Sequence, residues 1–190
     1  MITLENCVKA ILYTYPKLKA IERDYGEHIE NKAVLSYRFK GAAENLVEEL
    51  AEQVLRKRRL AKLKEDLDKL FAELSEEERL LLEIRYFGKI RKAKEEGRQG
   101  KREDFAEAKE AEEKRAAIAR MNWSERSYYR KQNRLLKKIV SAFNRLGLTK
   151  EVLEKEYLQY EFLRAVYRFL RSGDKKIVAP RERALVRLLR

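Results

Sequence analysis

Arginine, asparagine and tyrosine side chains recur along one side of the segment that begins at Ser124. If residues 124–139 form a helix, Arg126, Arg130 and Asn133 share one stripe at ~100° per residue. Arginine can bond guanine edges or phosphates, asparagine can pair with adenine, and tyrosine can contact phosphate or stack on a base. The pattern is typical of a helix that contacts nucleic acid. The candidate contact residues are Ser124, Glu125, Arg126, Ser127, Tyr129, Arg130, Asn133, Arg134 and Lys137.

A second stripe on the same segment is apolar and is displaced from the first by about a third of a turn. We expect its residues to pack on the protein: Tyr128, Gln132, Leu135, Leu136, Ile139 and Phe143. Asn122 and Trp123 are expected to form a short turn, and Ser124 is a good N-cap. Helix, short turn and polar helix together resemble a helix-turn-helix. The alternative is a solvated basic helix without a ligand.

The charge of the chain favours a polyanionic partner. The formal net charge is +13, yet residues 1–50 hold seven Lys/Arg and eight Asp/Glu. Phosphates neutralised by Lys or Arg release condensed counterions, so nucleic acid is the first hypothesis. An acidic protein or an anionic membrane surface would satisfy the same charge, and charge alone does not separate DNA from RNA. The sequence contains no apolar run of about 18 residues, so no membrane-spanning helix is predicted.

The first seventy residues predict three helices. Thr3 can cap a helix over residues 3–15, Pro16 breaks it, and a second helical pattern continues to about residue 33. SYRFKG and its Gly41 end this second helix. Residues 42–72 predict a long amphipathic helix, because leucines recur every three or four positions without Gly or Pro. Its basic run, residues 56–64, is expected to be a solvated face.

The next segment begins with a capping signature and ends in a basic insert. Ser75 followed by Glu78 predicts a capping box. An apolar stripe follows, with Gly88 as the stop: Leu80, Leu81, Ile84 and Phe87. Residues 89–103 carry seven Lys/Arg and three glutamates with almost no apolar residue, so we predict a mobile loop. A helix capped by Asp104 is predicted over residues 104–120.

The C-terminal residues predict two more helices. Thr149 can cap the first, which Ser172-Gly173-Asp174 should end. Pro180 suits the first turn of a short terminal helix. Residues 164–190 carry nine Lys/Arg and two acids. A helix this short must dock on its own domain, a second copy or another protein, so it is a candidate surface for a homo-oligomer.

Catalysis is not predicted. His28 is the only histidine and is expected on the surface, and Cys7 is expected to be a buried small hydrophobe, so no disulfide or Cys-cluster zinc site is expected. The acidic set Glu65, Asp66 and Asp68 alternates with lysines, as solvated helices do. We therefore predict neither an enzyme nor a cofactor or metal.

Two motifs resemble a known family. The pair LSEEERLLLEIRYFG and WSERSYYRKQNRLLKKI is similar to region four of bacterial sigma factors and to ArpU-like phage transcription regulators. The matching positions are Leu82 to Phe87 and Ser124 to Ile139. The AILYTYPKL opening also resembles that of uncharacterised sigma-like proteins of Firmicutes and their phages. Residues 89–120 separate the two motifs here, and Lys131 stands where those families often place an apolar residue.

The sequence as a whole predicts an all-α protein with three parts. These are an N-terminal helical domain (1–73) ending in a long helix, a sigma-like helix-turn-helix domain (74–148) with the insert 89–103, and a helical extension (149–190). The resemblance implies a cytoplasmic, phage- or mobile-element-associated transcription regulator that binds double-stranded DNA, with RNA polymerase as a further partner. The alternatives are a helical adaptor for RNA polymerase or a phage assembly, and an RNA-binding protein.

Overall fold

The computed structural model describes residues 3–38, 43–87, 115, 118–119 and 121–172. These residues contain helices and no strand, which confirms the all-α prediction for this part of the chain. The helices are α1 (Leu4–Thr14), α2 (Leu18–Arg38), α3 (Ala43–Ala72), α4 (Glu76–Leu82), α5 (Glu125–Arg145), α6 (Lys150–Val152) and α7 (Glu161–Ser172). Short 3-10 and π-helical segments join some of them: Tyr15–Lys17, Glu83–Phe87 and Leu153–Tyr157.

The described residues divide into two compact units. One lies within Tyr15–Glu73, and the other combines Met1–Thr14 with Leu74–Arg190. This division differs from the predicted domains 1–73, 74–148 and 149–190. Helix α1 belongs with the residues that follow Leu74, and the described part of 149–190 belongs to the same unit as 74–148.

The unit within Tyr15–Glu73 is an antiparallel pair of helices. Pro16 lies in the 3-10 turn between α1 and α2, so the predicted break is confirmed. At one end of the pair Lys32 bonds Glu49, and at the other the Tyr15 hydroxyl donates to Asp68 at 2.5 Å. Four leucines of α3, three or four residues apart, are buried, as is Leu18 at the start of α2: Leu60, Leu63, Leu67 and Leu70. The predicted long helix, 42–72, is confirmed as α3.

Helix α1 forms much of the core of the other unit. The Thr3 hydroxyl accepts a hydrogen bond from the Asn6 amide, so the predicted cap is confirmed. The buried residues of the helix lie on one broad side: Cys7, Val8, Ala10, Ile11, Leu12 and Thr14. The buried Thr14 hydroxyl is satisfied by the Ala10 and Ile11 carbonyls. Helix α1 packs against α5, α7 and both π-helical segments.

The predicted apolar stripe of α4 is partly wrong. The capping box of Ser75 and Glu78 is present as predicted. However, the buried residues are Leu81, Leu82 and Tyr86, whereas Leu80, Ile84 and Phe87 are only half-buried. The π-helical segment Glu83–Phe87 takes more residues per turn than an α-helix, so it shifts the buried face relative to a 3.6-residue period. Tyr86 then packs edge-on against Tyr13 of α1, with 4.9 Å between ring centroids.

The single helix predicted after Thr149 is wrong, because the chain bends near Leu158–Tyr160 and α7 begins at Glu161. Thr149 is at the N-cap position of α6, but its side chain makes no capping bond. The Arg164 guanidinium donates to the Leu158 and Gln159 carbonyls, which satisfies carbonyls at the bend.

Several predictions lie outside the described residues. They concern Gly41, Gly88, the insert 89–103, the Asp104 cap and the terminal helix after Pro180. Of the helix predicted over 104–120, only residues 115, 118 and 119 are described, and all three are helical.

Candidate nucleic-acid interface

A tight turn precedes α5. Asn122 has φ +50°, its amide donates to the Ala119 carbonyl, and the Trp123 amide donates to the Ile118 carbonyl. These two bonds form a Schellman motif, which ends a helix with one residue in the left-handed region. Asparagine adopts that region more readily than most residues. The helix that contains residues 118 and 119 therefore ends at Asn122, and α5 begins three residues later.

Ser124 is the N-cap of α5, as predicted. Its hydroxyl oxygen accepts the Ser127 amide at 3.2 Å and lies 3.0 Å from the Ser127 hydroxyl. Such a side chain satisfies one of the backbone donors that the first turn leaves without a partner. Both serine hydroxyls are thus engaged in fixing the start of the helix.

One side of α5 is buried in its unit, as predicted. The buried side chains are Tyr128, Leu135, Leu136, Ile139, Ala142 and Phe143. Gln132 is half-buried, and its amide donates to the Tyr128 hydroxyl at 2.6 Å. The helix ends in a second Schellman motif: the Gly147 amide bonds Asn144 and the Leu148 amide bonds Phe143. The serine cap therefore fixes the start of α5, and backbone geometry fixes its end.

The predicted contact residues lie on the exposed side of α5. All except the half-buried Ser127 are exposed to solvent: Ser124, Glu125, Arg126, Tyr129, Arg130, Asn133, Arg134 and Lys137. Tyr129 is 47% exposed and packs edge-on against the buried Tyr128. Within the described residues the four cations of this stripe form no ion pair. We call Arg126, Arg130, Asn133, Arg134 and Lys137 the α5 stripe.

Two other lysines of α5 are neutralised by α4. Lys131 bonds Glu77 at 2.7 Å, and its ammonium lies 4.1 Å from the centroid of the Trp123 ring. Lys138 bonds both carboxylate oxygens of Glu78, at 2.8 and 2.7 Å. Lys131 can therefore occupy a position that suits an apolar residue, because its ammonium lies over an aromatic ring and its charge is paired. The sequence patterns of α4 and α5 taken separately do not show this pairing.

The electrostatics of Glu78 reflect its two roles. Partial burial raises the pKa of its carboxyl, but the hydrogen bonds from Lys138 and from the Ser75 amide outweigh burial and hold the pKa below its usual range. Glu78 therefore remains a carboxylate that joins the first turn of α4 to the middle of α5. This contact holds α5 in place while leaving the α5 stripe open to solvent.

Two further basic runs occur in the sequence, at residues 56–64 and 164–190. In the 56–64 run of α3, Arg58 and Lys62 are exposed, while Arg56 pairs with Glu52 and Lys64 with Asp68. In α7, three arginines lie on the exposed side: Arg164, Arg168 and Arg171. Residues 173–190 of the other basic run are outside the described residues.

The other side chains that could take part in catalysis or metal binding are Cys7, His28 and the acidic residues of α3. Cys7 is buried as predicted, and burial, with a contribution from Glu154, raises the pKa of its thiol to about 11. His28 is exposed on α2, as predicted. Asp68 is held by Tyr15 and Lys64, and Glu65 pairs with Lys69. The described residues contain no acid, histidine and cysteine cluster that could hold a metal, and no membrane-spanning helix.

Comparison of the chain with protein-family models, with curated proteins and with solved structures finds no match.

Proposed function

We propose that the chain is a sequence-specific DNA-binding transcription regulator of sigma-like type, in which α5 enters the major groove. The observation that carries the proposal is the α5 stripe: four exposed cations and an asparagine opposite a buried apolar face, without ion pairs among the described residues. A charged surface left unpaired next to two neutralised lysines favours an external anion as its partner.

The residues of the stripe suit different parts of a duplex. Arg130 and Asn133 lie in the first half of α5, where a recognition helix contacts base edges. Arginine can bond guanine with two hydrogen bonds, and asparagine can do the same with adenine. Arg126, Arg134 and Lys137 flank them and suit phosphate contacts, which set the register of the helix on the duplex.

The proposal is tested by binding to double-stranded DNA. A randomised duplex pool is first enriched with the purified protein, and the enriched sequence is then titrated by fluorescence anisotropy. Arg130→Ala with Asn133→Ala should weaken that binding by ~1–3 kcal/mol for each bidentate base pairing that the substitutions remove. The matched control is Asn144→Ala with Arg145→Ala, which removes the same two residue types from the exposed C-terminal end of α5.

Salt dependence provides a second measurement. Three phosphate contacts predict a loss of affinity of roughly 40-fold between 50 and 200 mM salt. No duplex binding at low salt would contradict the proposal and favour the helical adaptor. Equal or tighter binding to an RNA of the same sequence would favour the RNA-binding alternative.

A further inference from the structure

The outer face of α3 carries apolar side chains that the described residues leave exposed. Val47 is 66% and Leu55 50% exposed. Leu55 belongs to an exposed stripe with a spacing of three and four residues: Glu48, Ala51, Leu55, Arg58 and Lys62. This is the 3.5-residue spacing with which one helix packs along another. Over residues 48–62 the stripe is about 21 Å long.

The charges of this stripe are separated along the helix. Its N-terminal half holds Glu48 with the neighbouring Glu52, and its C-terminal half holds Arg58 and Lys62. Leu55 lies midway between the two halves. Glu48, Arg58 and Lys62 form no ion pair with any described residue, so no described residue neutralises their charges. Glu52 bonds Arg56 on the same helix.

We propose that this surface, the α3 stripe, binds a second copy of the chain in the antiparallel direction. A two-fold axis near Leu55 would place the acidic half of each stripe on the basic half of the other. An isologous interface must be complementary to itself, and this order of charges has that property. In a parallel pair, acids would face acids and bases would face bases, which is unfavourable.

The apolar residues suit the middle of such a contact. Leu55 would lie near Leu55 of the second copy, and Ala51 is small enough to let the helices approach closely. The charged halves would then flank an apolar centre, as the polar rim flanks the core of a protein interface. The α3 stripe shares no residue with the α5 stripe, so this contact does not depend on the proposed DNA binding.

The test measures association of the full-length protein by sedimentation equilibrium over a concentration series. Two variants reverse one half of the stripe each: Glu48→Lys with Glu52→Lys, and Arg58→Glu with Lys62→Glu. Each puts like charges opposite one another at both ends of the symmetric contact, so the dimer dissociation constant should rise by roughly tenfold or more. A variant with all four changes restores opposite charges throughout and should dimerise again.

Matched controls carry the same types of charge change away from the stripe. Lys19→Glu and Glu30→Lys alter exposed residues of α2 and should leave the dissociation constant unchanged. Circular dichroism checks that each variant keeps the helical content of the wild type.

Three results would overturn the proposal. One is a monomeric wild type over the whole concentration range, which would leave the stripe to a partner of another kind. Another is a dimer that survives both half-reversals, since the contact would then lie on another surface. The last is a four-substitution variant that stays monomeric although both half-reversed variants are folded, because charge pairing would then not hold the copies together.

Discussion

Leu135 and Asn133 are two residues apart on α5 but have different surroundings. Leu135 is 4% exposed and faces the core of its unit, whereas Asn133 is exposed on the α5 stripe. Leu135→Ala should lower the free energy of unfolding by ~2–5 kcal/mol, because it leaves a cavity in a packed core. Asn133→Ala should change it by no more than about 0.5 kcal/mol. Chemical denaturation of both variants measures the difference, and equal destabilisation would mean that α5 is rotated about its axis.

Gly147 is the residue whose backbone conformation most directly requires glycine. Its φ is +74°, and a Cβ built there meets no atom within 4 Å, so a larger residue would suffer backbone strain without a clash. Gly147→Ala should therefore cost about 1 kcal/mol of folding free energy. Gly147→Asn should cost less, because asparagine adopts this conformation at Asn122 of the same chain. Thermal unfolding compares the two, and an alanine variant as stable as the wild type would show that another chain path ends α5.

The residues of the α5 stripe were predictable because helical period alone places them on the side opposite the apolar face. The environment of Lys131 was not, because its partner Glu77 is 54 positions away in the sequence. A lysine at a position that suits an apolar residue indicates that its charge needs a partner. The sequence pattern does not show which distant carboxylate is that partner. The side of the helix on which a residue lies follows from the helical period, whereas its ion pair depends on tertiary packing.

At the scale of the elements, the contact between α4 and α5 is expected to be sensitive to acid. Glu78 has a folded-state pKa below its usual range, so its contribution to stability is present above the ordinary glutamate pKa of about 4.3 and is lost as pH falls through the folded value. Glu78→Gln should remove about 1 kcal/mol at neutral pH. The difference from wild type should shrink below about pH 4. Glutamine still allows a capping box, so the variant isolates the charge.

The control for this prediction is Glu76→Gln, which removes an exposed carboxylate from the same first turn. Glu76 forms no ion pair with the described residues, so its variant should show a smaller dependence on pH. Melting temperatures of the three proteins measured from pH 3 to 7 provide the comparison. Parallel curves for wild type and Glu78→Gln would mean that the ion pair of Glu78 with Lys138 does not cause the acid sensitivity.

The π-helical segment after α4 shows where element-level prediction from sequence stops. The capping box predicted the start of α4 correctly, because Ser75 and Glu78 are three residues apart and local in the chain. The buried face was predicted with a uniform helical period, and the π-helical turn shifted Tyr86 into the core instead of Phe87. The contact of Tyr86 with Tyr13 belongs to tertiary packing, and the local apolar pattern does not contain it.

At the scale of the whole molecule, the position of α1 differs most from what its place in the sequence suggested. The predicted N-terminal domain grouped it with the residues that follow it directly. The buried side chains of Val8, Ile11 and Leu12 instead belong to the unit that resumes at Leu74. An apolar pattern shows that a helix is buried but does not identify its partners, because packing partners can be far away in sequence.

This placement predicts the behaviour of a fragment that starts at residue 74. Val8, Ile11 and Leu12 are each at most 2% exposed, and burying such side chains contributes ~1.5–3 kcal/mol apiece. Their combined contribution is comparable with the ~5–15 kcal/mol that stabilises a whole domain. Fragment 74–190 should therefore show no cooperative thermal transition by circular dichroism. A chain in which a flexible linker replaces residues 15–73 retains α1 and should show one, whereas cooperative unfolding of fragment 74–190 itself would mean that α1 is not required for the core.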